Sequence, residues 1–354
     1  MSESGKFKTD SAFTQELKHE VRQIFENDPH GRYANFSVFA KAIALLTAMF
    51  ALYILLVFFS PSSFIVNGVL LLALSVVTVL VGFNVMHEGA HGSFSKKQWI
   101  NQIFATAFDL FGVSSDLYKI KHVYFHHTFT NIYGYDGDVS EAPMLRMTPQ
   151  QRIRGIHRWQ AFFAPVLYGM VTMAWYFGDL FRMRLQKVGT QKFSKPSVAT
   201  QLKIVLFKAI HLSLAILIPC YFHSFQTVIS AFLIYHFVTG LMVTLVFQAA
   251  HVVQKTTSMN SIPDQDWHLH QIATTADFAT ESRMACWLLG GLNFQTIHHL
   301  FPNVSYRHFP AIQKILLRLA QKHRVEYLCY PSFSGAITSH FKELHQLGQS
   351  EVIS

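Results

Sequence analysis

Charge is the first thing this 354-residue chain lacks. Asp, Glu, Lys and Arg together make up 14% of it, against roughly 25% in an average soluble domain. With 51% hydrophobic residues and a mean hydropathy of +0.24, this composition excludes a disordered chain and an ordinary soluble globule. Cysteine is scarce too. Cys220, Cys286 and Cys329 form no CxxC pair, which excludes a disulfide framework and a zinc ribbon. Residues 1–36 are polar and lack the short apolar core and small-residue cleavage site of a signal peptide. No low-complexity tract interrupts the chain. A formal charge of +9 on so apolar a sequence points to basic loops beside a membrane and away from nucleic acid.

What the chain has instead is long uncharged runs. Residues 42–59 and 64–86 carry no charged side chain, and the turn-like Ser60-Pro61-Ser62-Ser63 separates them. At about 1.5 Å per residue each can cross a hydrocarbon core of about 30 Å, so together they read as a transmembrane hairpin. Residues 204–222 and 227–250 read as a second hairpin, with Lys208 near a helix end from which it can snorkel to water. A further stretch, 161–180, is long enough to cross. It contains Pro165 and the interfacial Tyr168, Trp175 and Tyr176, and it has Arg and Lys at both ends. Basic residues favour one side of a membrane, so this segment is expected at the interface and not across it.

The distribution of basic residues orients the chain. With four spans, the two outer turns carry no Lys or Arg, whereas five precede the first span through Arg32, fourteen lie in 87–203 and eight in 251–354. Both termini and the central loop are therefore expected in the cytoplasm. Phe13, Leu17, Val21 and Ile24 recur at helical spacing and predict an amphipathic helix over 11–26 that caps the cytoplasmic part.

Histidine is the residue in excess: 20, as many as Asp and Glu combined. Three clusters stand out, His87-Glu88-Gly89-Ala90-His91, then His122 with His126 and His127, then Gln295 with His298 and His299; His251 ends the fourth span. On helices, His87 and His91 face one way, as do His122 and His126, and Gln295 faces His298 and His299. Adjacent His126 and His127 diverge by about 100°, as do His298 and His299, so each pair can serve two metal ions. Parity tests this. All clusters meet on one side with four spans, but a fifth crossing at 161–180 would strand His251 and the third cluster on the other side. Histidines such as His19, His157 and His340 are set aside as ordinary polar residues. His236 falls mid-span, too far from His251 to share a metal, and reads as a hydrogen-bonded core or tunnel residue.

Imidazole suits Zn, Cu, Fe and Ni. A single zinc takes three or four ligands, whereas eight histidines plus Gln295 are enough for two ions. Two His-rich metals over a hydrocarbon interior point to oxidation of an unactivated C–H bond. A cofactor must supply that oxidant, commonly from O2 and reduced iron. Two other classes share parts of the pattern, a diiron lipid hydroxylase or ketolase and a membrane metal-ion transporter. Transporters usually hold ligands near the midplane, whereas these candidates, His236 apart, lie at or beyond helix ends.

The segments HEGAH, KHVYFHHTFTN and QTIHHLFPNV resemble the three histidine boxes of the membrane fatty acid desaturase family, over about residues 35–325. Gln295 in place of a histidine resembles the front-end branch, which adds a double bond between an existing one and the carboxyl end; the chain is most similar to its bacterial linoleoyl-CoA and Δ6-type members. The resemblance implies an all-α membrane protein: four transmembrane helices in two hairpins, interfacial helices and a cytoplasmic helical cap holding a diiron site. Residues 1–36 would be a cytoplasmic segment, 37–325 the desaturase domain and 326–354 a cytoplasmic tail. His87, His91, His122, His126, His127, His251, His298 and His299 would bind two iron ions, with Gln295 a weak or water-mediated ligand. Trp267, His270, Gln271 and Thr275 lie in a branch motif near the substrate, and Tyr133 to Asp138 resembles the acidic loop after the second box. The implied reaction inserts a cis double bond into an acyl-CoA or acyl lipid with O2 in the bacterial cytoplasmic membrane. Front-end enzymes often carry a fused cytochrome b5. Here no HPGG haem motif occurs, so no haem is expected and electrons would come from a ferredoxin, a flavodoxin or a separate cytochrome b5 with its reductase.

Overall fold

The uncharged runs become the frame of the protein. A computed structural model describes residues 6–142 and 144–349. In it, four helices are long and apolar enough to cross a membrane: Phe36–Phe58, Phe64–His91, Val198–Phe222 and Phe225–His251. Asn35, Ser63, Ser197 and Ser224 cap them, each side-chain oxygen accepting the backbone N–H three residues on. The first and third spans begin about two turns before the uncharged runs, at these caps. Phe64, Ile65, Leu206 and Phe225 stay exposed on the outer surface of the bundle, the side that lipid covers in a membrane protein.

The stretch expected at the interface forms two helices, Gly155–Gly169 and Val171–Leu185, bent by 73°. Their elbow packs on the fourth span at a pair of glycines. A Cβ on Gly240 would lie 2.7 Å from the Gly169 carbonyl oxygen, so no larger residue allows this approach. Gly240 is eleven residues before His251, roughly 16 Å along the helix, and the elbow therefore dips toward the middle of the span. It makes no net crossing. The rings of His126 and His251 are 4.7 Å apart, and one full crossing more between them would put them on opposite faces.

Lys208 does not snorkel. Its Nζ donates to the carbonyl oxygens of Gly112 and Tyr176, each at 2.6 Å, and lies 3.2 Å from Asp179 Oδ2. The bent pair covers that end of the third span with Tyr176 and Asp179, and the turn after helix Gln98–Leu110 supplies Gly112, so these acceptors are closer than water. The predicted N-terminal helix, Ala12–Glu26, lays Phe13, Leu17 and Val21 on helix Phe309–His323, so protein covers its apolar face. The segment after residue 325 is folded in as well. Cys329–Tyr330 pairs in parallel with Asp277–Phe278, and helix Phe333–Gln349 packs on the fourth span and the bent pair.

Candidate metal centre

Two backbone irregularities prepare the centre. The second span passes through a π-helical stretch, Gly82–His87, before ending at His91, and the second cluster sits in another, Lys119–His126. π-turns bond i to i+5 and redirect side chains, and they recur at functional sites.

The structure brings all nine sequence-predicted residues together. One ring nitrogen from each of His87, His91, His122 and His298 lies within 4.8 Å of the others, and the same holds for His126, His251 and His299. His127 stands between the groups, its Nε2 3.1 Å from His298 Nε2 and its ring centroid 4.2 Å from that of His299. Gln295 Nε2 is 3.0 Å from His251 Nε2 and 3.3 Å from His299 Nε2. His298 and His299 fall in different groups, as their angular spacing predicts. His122 and His126, four residues apart, stack with ring centroids 5.1 Å apart and also come within 4.8 Å of each other and of Asp138, so this pair links the two groups.

Burial holds the imidazoles of His122, His127, His298 and His299 well below their ordinary pKa, and neighbouring rings push the same way. These four rings are neutral, with lone pairs available. His126 differs: burial works against its charged form, but the Asp136 carboxylate, 3.0 Å from Nδ1, raises it overall. His87 Nδ1, both nitrogens of His91, His127 Nδ1 and His251 Nδ1 have no hydrogen-bond partner among the described residues. Buried polar atoms left this way cost free energy, and converging imidazoles of this kind fit transition-metal ions. The two groups can hold metal.

A second layer orients them. Asp136 Oδ2 faces His126 Nδ1 and accepts from Asn131 N at 2.9 Å. Asp136 belongs to the acidic loop and is fully buried. Asn131, at φ 56°, a region Asn tolerates better than most residues, donates its amide to the carbonyl oxygens of His251, Thr257 and Thr274. Asp277 accepts from Thr296 N at 2.6 Å and so fixes the start of the third cluster's helix.

The four residues of the branch motif are placed here too, outside the lining of the two cavities described below. Gln271 Oε1 is 2.9 Å from His299 Nδ1 and accepts from Thr130 at 2.8 Å. Thr275 donates to Gln271 O and to Thr296 Oγ1. His270 Nε2 meets Thr130 O at 2.9 Å, and Trp267 donates to Thr128 O. Gln271 and Thr275 thus brace the third cluster, and His270 and Trp267 tie their helix to the segment after the second cluster. Spacing could not reveal this, since it depends on how residues 267–274 pack on the third cluster.

Two cavities meet at the histidines. A broad one of about 700 Å³ reaches His122, His126 and His251 from a mouth lined by Lys121, Arg182 and Lys187. A narrow slot runs from His87 to His236 and Thr239 on the fourth span. Val113, Tyr118, Trp175 and Phe247 line both, so the two cavities adjoin at these residues, and Tyr118 stacks on His122 at 4.8 Å. The four waist residues carry no motif, and the sequence does not announce them.

Comparison with known proteins matches residues 61–331 to the fatty acid desaturase family model. The chain is 30% identical to the sn-1 linoleoyl-lipid 6-desaturase of Arthrospira platensis, covering 95% of this chain and 92% of that one. It is 31% identical to the sn-1 linoleoyl-lipid 6-desaturase of a Synechocystis strain, over 98% of each, and 30% identical to the acyl-lipid (8-3)-desaturase B of Dictyostelium discoideum, over 98% of this chain and 78% of that protein. Histidine boxes, helical bundle and similarity over nearly the whole length agree: this chain belongs to the fatty acid desaturase family.

Proposed function

We propose that the protein inserts a cis double bond into the acyl chain of a membrane lipid, on the carboxyl side of a double bond already there. The observation that carries this reading is the meeting of two buried histidine groups with a path that is apolar on its deep side. The names of the relatives support an acyl lipid over an acyl-CoA. His87, His91, His122 and His298 would hold one iron and His126, His251 and His299 the other, with His127 between them and Gln295 beside the second. Two irons bound there would supply, with O2 and external electrons, the oxidant that removes two hydrogens from neighbouring methylenes.

The chain's own residues do the rest. The slot takes the methyl end of the acyl chain and the broad cavity its carboxyl end. Tyr118, Trp175, Phe247 and Val113 hold the carbon pair beside His122 and exclude water from it. Asp136 and Gln271 keep His126 and His299 in the tautomers that leave their Nε2 lone pairs inward. At the mouth, Arg182 is 2.7 Å from Glu141 and Lys121 is 2.6 Å from Asp138, a balance better suited to an uncharged headgroup than to the phosphates of CoA. Residues 37–325 would form the desaturase domain, with the centre and both termini in the cytoplasm, on the side the basic residues favour. A ferredoxin, a flavodoxin or cytochrome b5 with its reductase would deliver the electrons.

The test is expression in a host without polyunsaturated fats, fed linoleate, with double bonds mapped by mass spectrometry. The expected product has lost two hydrogens per chain at a position nearer the carboxyl end, and His126→Ala abolishes it. A product heavier by one oxygen would make the enzyme a hydroxylase, and metal uptake into vesicles without lipid oxidation would make it a transporter.

A further inference from the structure

An acyl chain in the broad cavity brings one group with it that is not hydrocarbon, the carbonyl that joins it to its headgroup. This acceptor leaves water when the chain enters, and without a donor its burial costs free energy. Most polar side chains on the cavity wall are already engaged. Tyr168 OH lies 2.7 Å from His340 Nε2, and Thr244 Oγ1 donates to Tyr168 O at 3.5 Å. The Asn131 amide serves three carbonyl oxygens, while Lys121 and Arg182 are paired with Asp138 and Glu141. Lys187 stands exposed at the outer rim.

Inside that rim, three donors bond to nothing among the described residues: Tyr118 OH, the Trp175 indole N–H and the Gln248 amide. Tyr118 and Trp175 belong to the waist that the broad cavity shares with the slot. Gln248 lines the broad cavity alone, which makes it the free donor on the carboxyl side. Its oxygen is buried without a partner, and that leaves the amino end toward the cavity with two N–H bonds to give. The fourth span sets its place. Gln248 is three residues before His251 on the helix Phe225–His251, and Cβ atoms three apart on a helix lie about 5–6 Å from one another on one face.

We propose that Gln248 binds the acyl carbonyl of the substrate and so fixes the register in which the chain is counted from its carboxyl end. This rests on the desaturase reading above and adds the positioning residue on that side of the centre. Extended chain advances about 1.25 Å per carbon, from a bond of about 1.52 Å and an angle of about 111°. The separation of about 5–6 Å between Gln248 and His251 therefore spans four or five carbons. A carbonyl held at Gln248 brings a carbon pair near the carboxyl end beside the histidines, and keeps pairs farther along the tail in the slot.

The experiment gives the full-length enzyme a linoleoyl lipid and its ether analogue, in which CH2 replaces the carbonyl, in the same membranes. Wild type is compared with Gln248→Met and Gln248→Leu, which remove the donor and roughly keep the bulk. In wild type the ester is expected to exceed the ether about three- to tenfold in kcat/KM, the range of one hydrogen bond. The ester is expected to give one double-bond position and the ether a mixture. Each variant is expected to treat ester and ether alike, with mixed positions from both and the iron content of wild type. Amide and carbonyl then act as one interaction, since removing either cancels the effect of removing the other. Equal handling of ester and ether by wild type, or an ester preference that survives both substitutions, overturns the proposal while leaving the desaturase reading intact. Loss of iron from both variants would place Gln248 with the metal and overturns it as well. A wild type that oxidises neither chain overturns both.

Discussion

Replacing Gln271 by Leu separates bracing from substrate binding at one position. Leucine roughly keeps the volume of this fully buried side chain but removes the oxygen that lies 2.9 Å from His299 Nδ1 and accepts from Thr130. Loss of such an outer partner typically costs 10–100-fold in metal affinity, about 1.4–2.7 kcal/mol. The Thr130 hydroxyl still reaches the His126 carbonyl oxygen at 2.7 Å, so the wound is confined mainly to His299. Iron per chain is measured after equilibration against a series of chelators, alongside KM for the acyl substrate. The expected result is a 10–100-fold weaker hold on iron, activity partly regained in excess iron and an unchanged KM. Wild-type iron retention with a raised KM would refute the bracing role and return Gln271 to the substrate.

Three further perturbations probe other parts. Gly240→Leu drives a side chain into the Gly169 carbonyl and is expected to cost about 1–3 kcal/mol or more by overpacking; an unchanged melting temperature in detergent contradicts the close elbow. Asn131→Ala places a Cβ-bearing residue without Asn's local bonds at φ 56° and deprives three carbonyls, His251's among them, of a donor. A loss of about 2–4 kcal/mol is expected, together with weakened iron retention, and wild-type behaviour in both measurements contradicts it. Burial lifts the Asp277 carboxyl to about 6, so between roughly pH 4 and 6 the folded chain keeps a proton that the unfolded chain has lost. Stability from this group is full below about pH 4, declines by about 3 kcal/mol up to pH 6 and is flat above. Asp277→Asn is expected to remove this slope, its melting temperature gaining on wild type as pH rises from 4 to 7; a constant difference contradicts it.

The spans and the nine inward residues were legible because both signals are local. An uncharged run of about 20 residues has few fates other than a membrane, and helical spacing put His87 with His91 and divided His298 from His299. Parity then tied distant clusters to one face. The bent pair was harder to read. Its failure to cross followed from charge, but its descent to Gly240 depends on two glycines 71 residues apart in sequence, which no local pattern connects. Lys208 looked free to reach water because its acceptors come from residues 112 and 176. The motif marks Gln271 and Thr275 for the substrate, while their hydrogen bonds to His299 and Thr296 depend on how helix Trp267–Thr274 packs against Gln295–Leu300, which no local pattern shows. The waist of the cavity had no signal at all, being made of common apolar and aromatic residues that become special by position.

The central claim is that two histidine groups hold two irons beside an acyl path, and metal content tests it most directly. The protein, purified without added metal and without oxygen, is analysed for every first-row transition metal, then stripped, reloaded and assayed for O2-dependent lipid desaturation. The account predicts about two irons per chain, activity that leaves and returns with them, and failure of His122→Ala and His299→Ala each to retain the full complement. A single zinc, or full activity in metal-free protein, would contradict it.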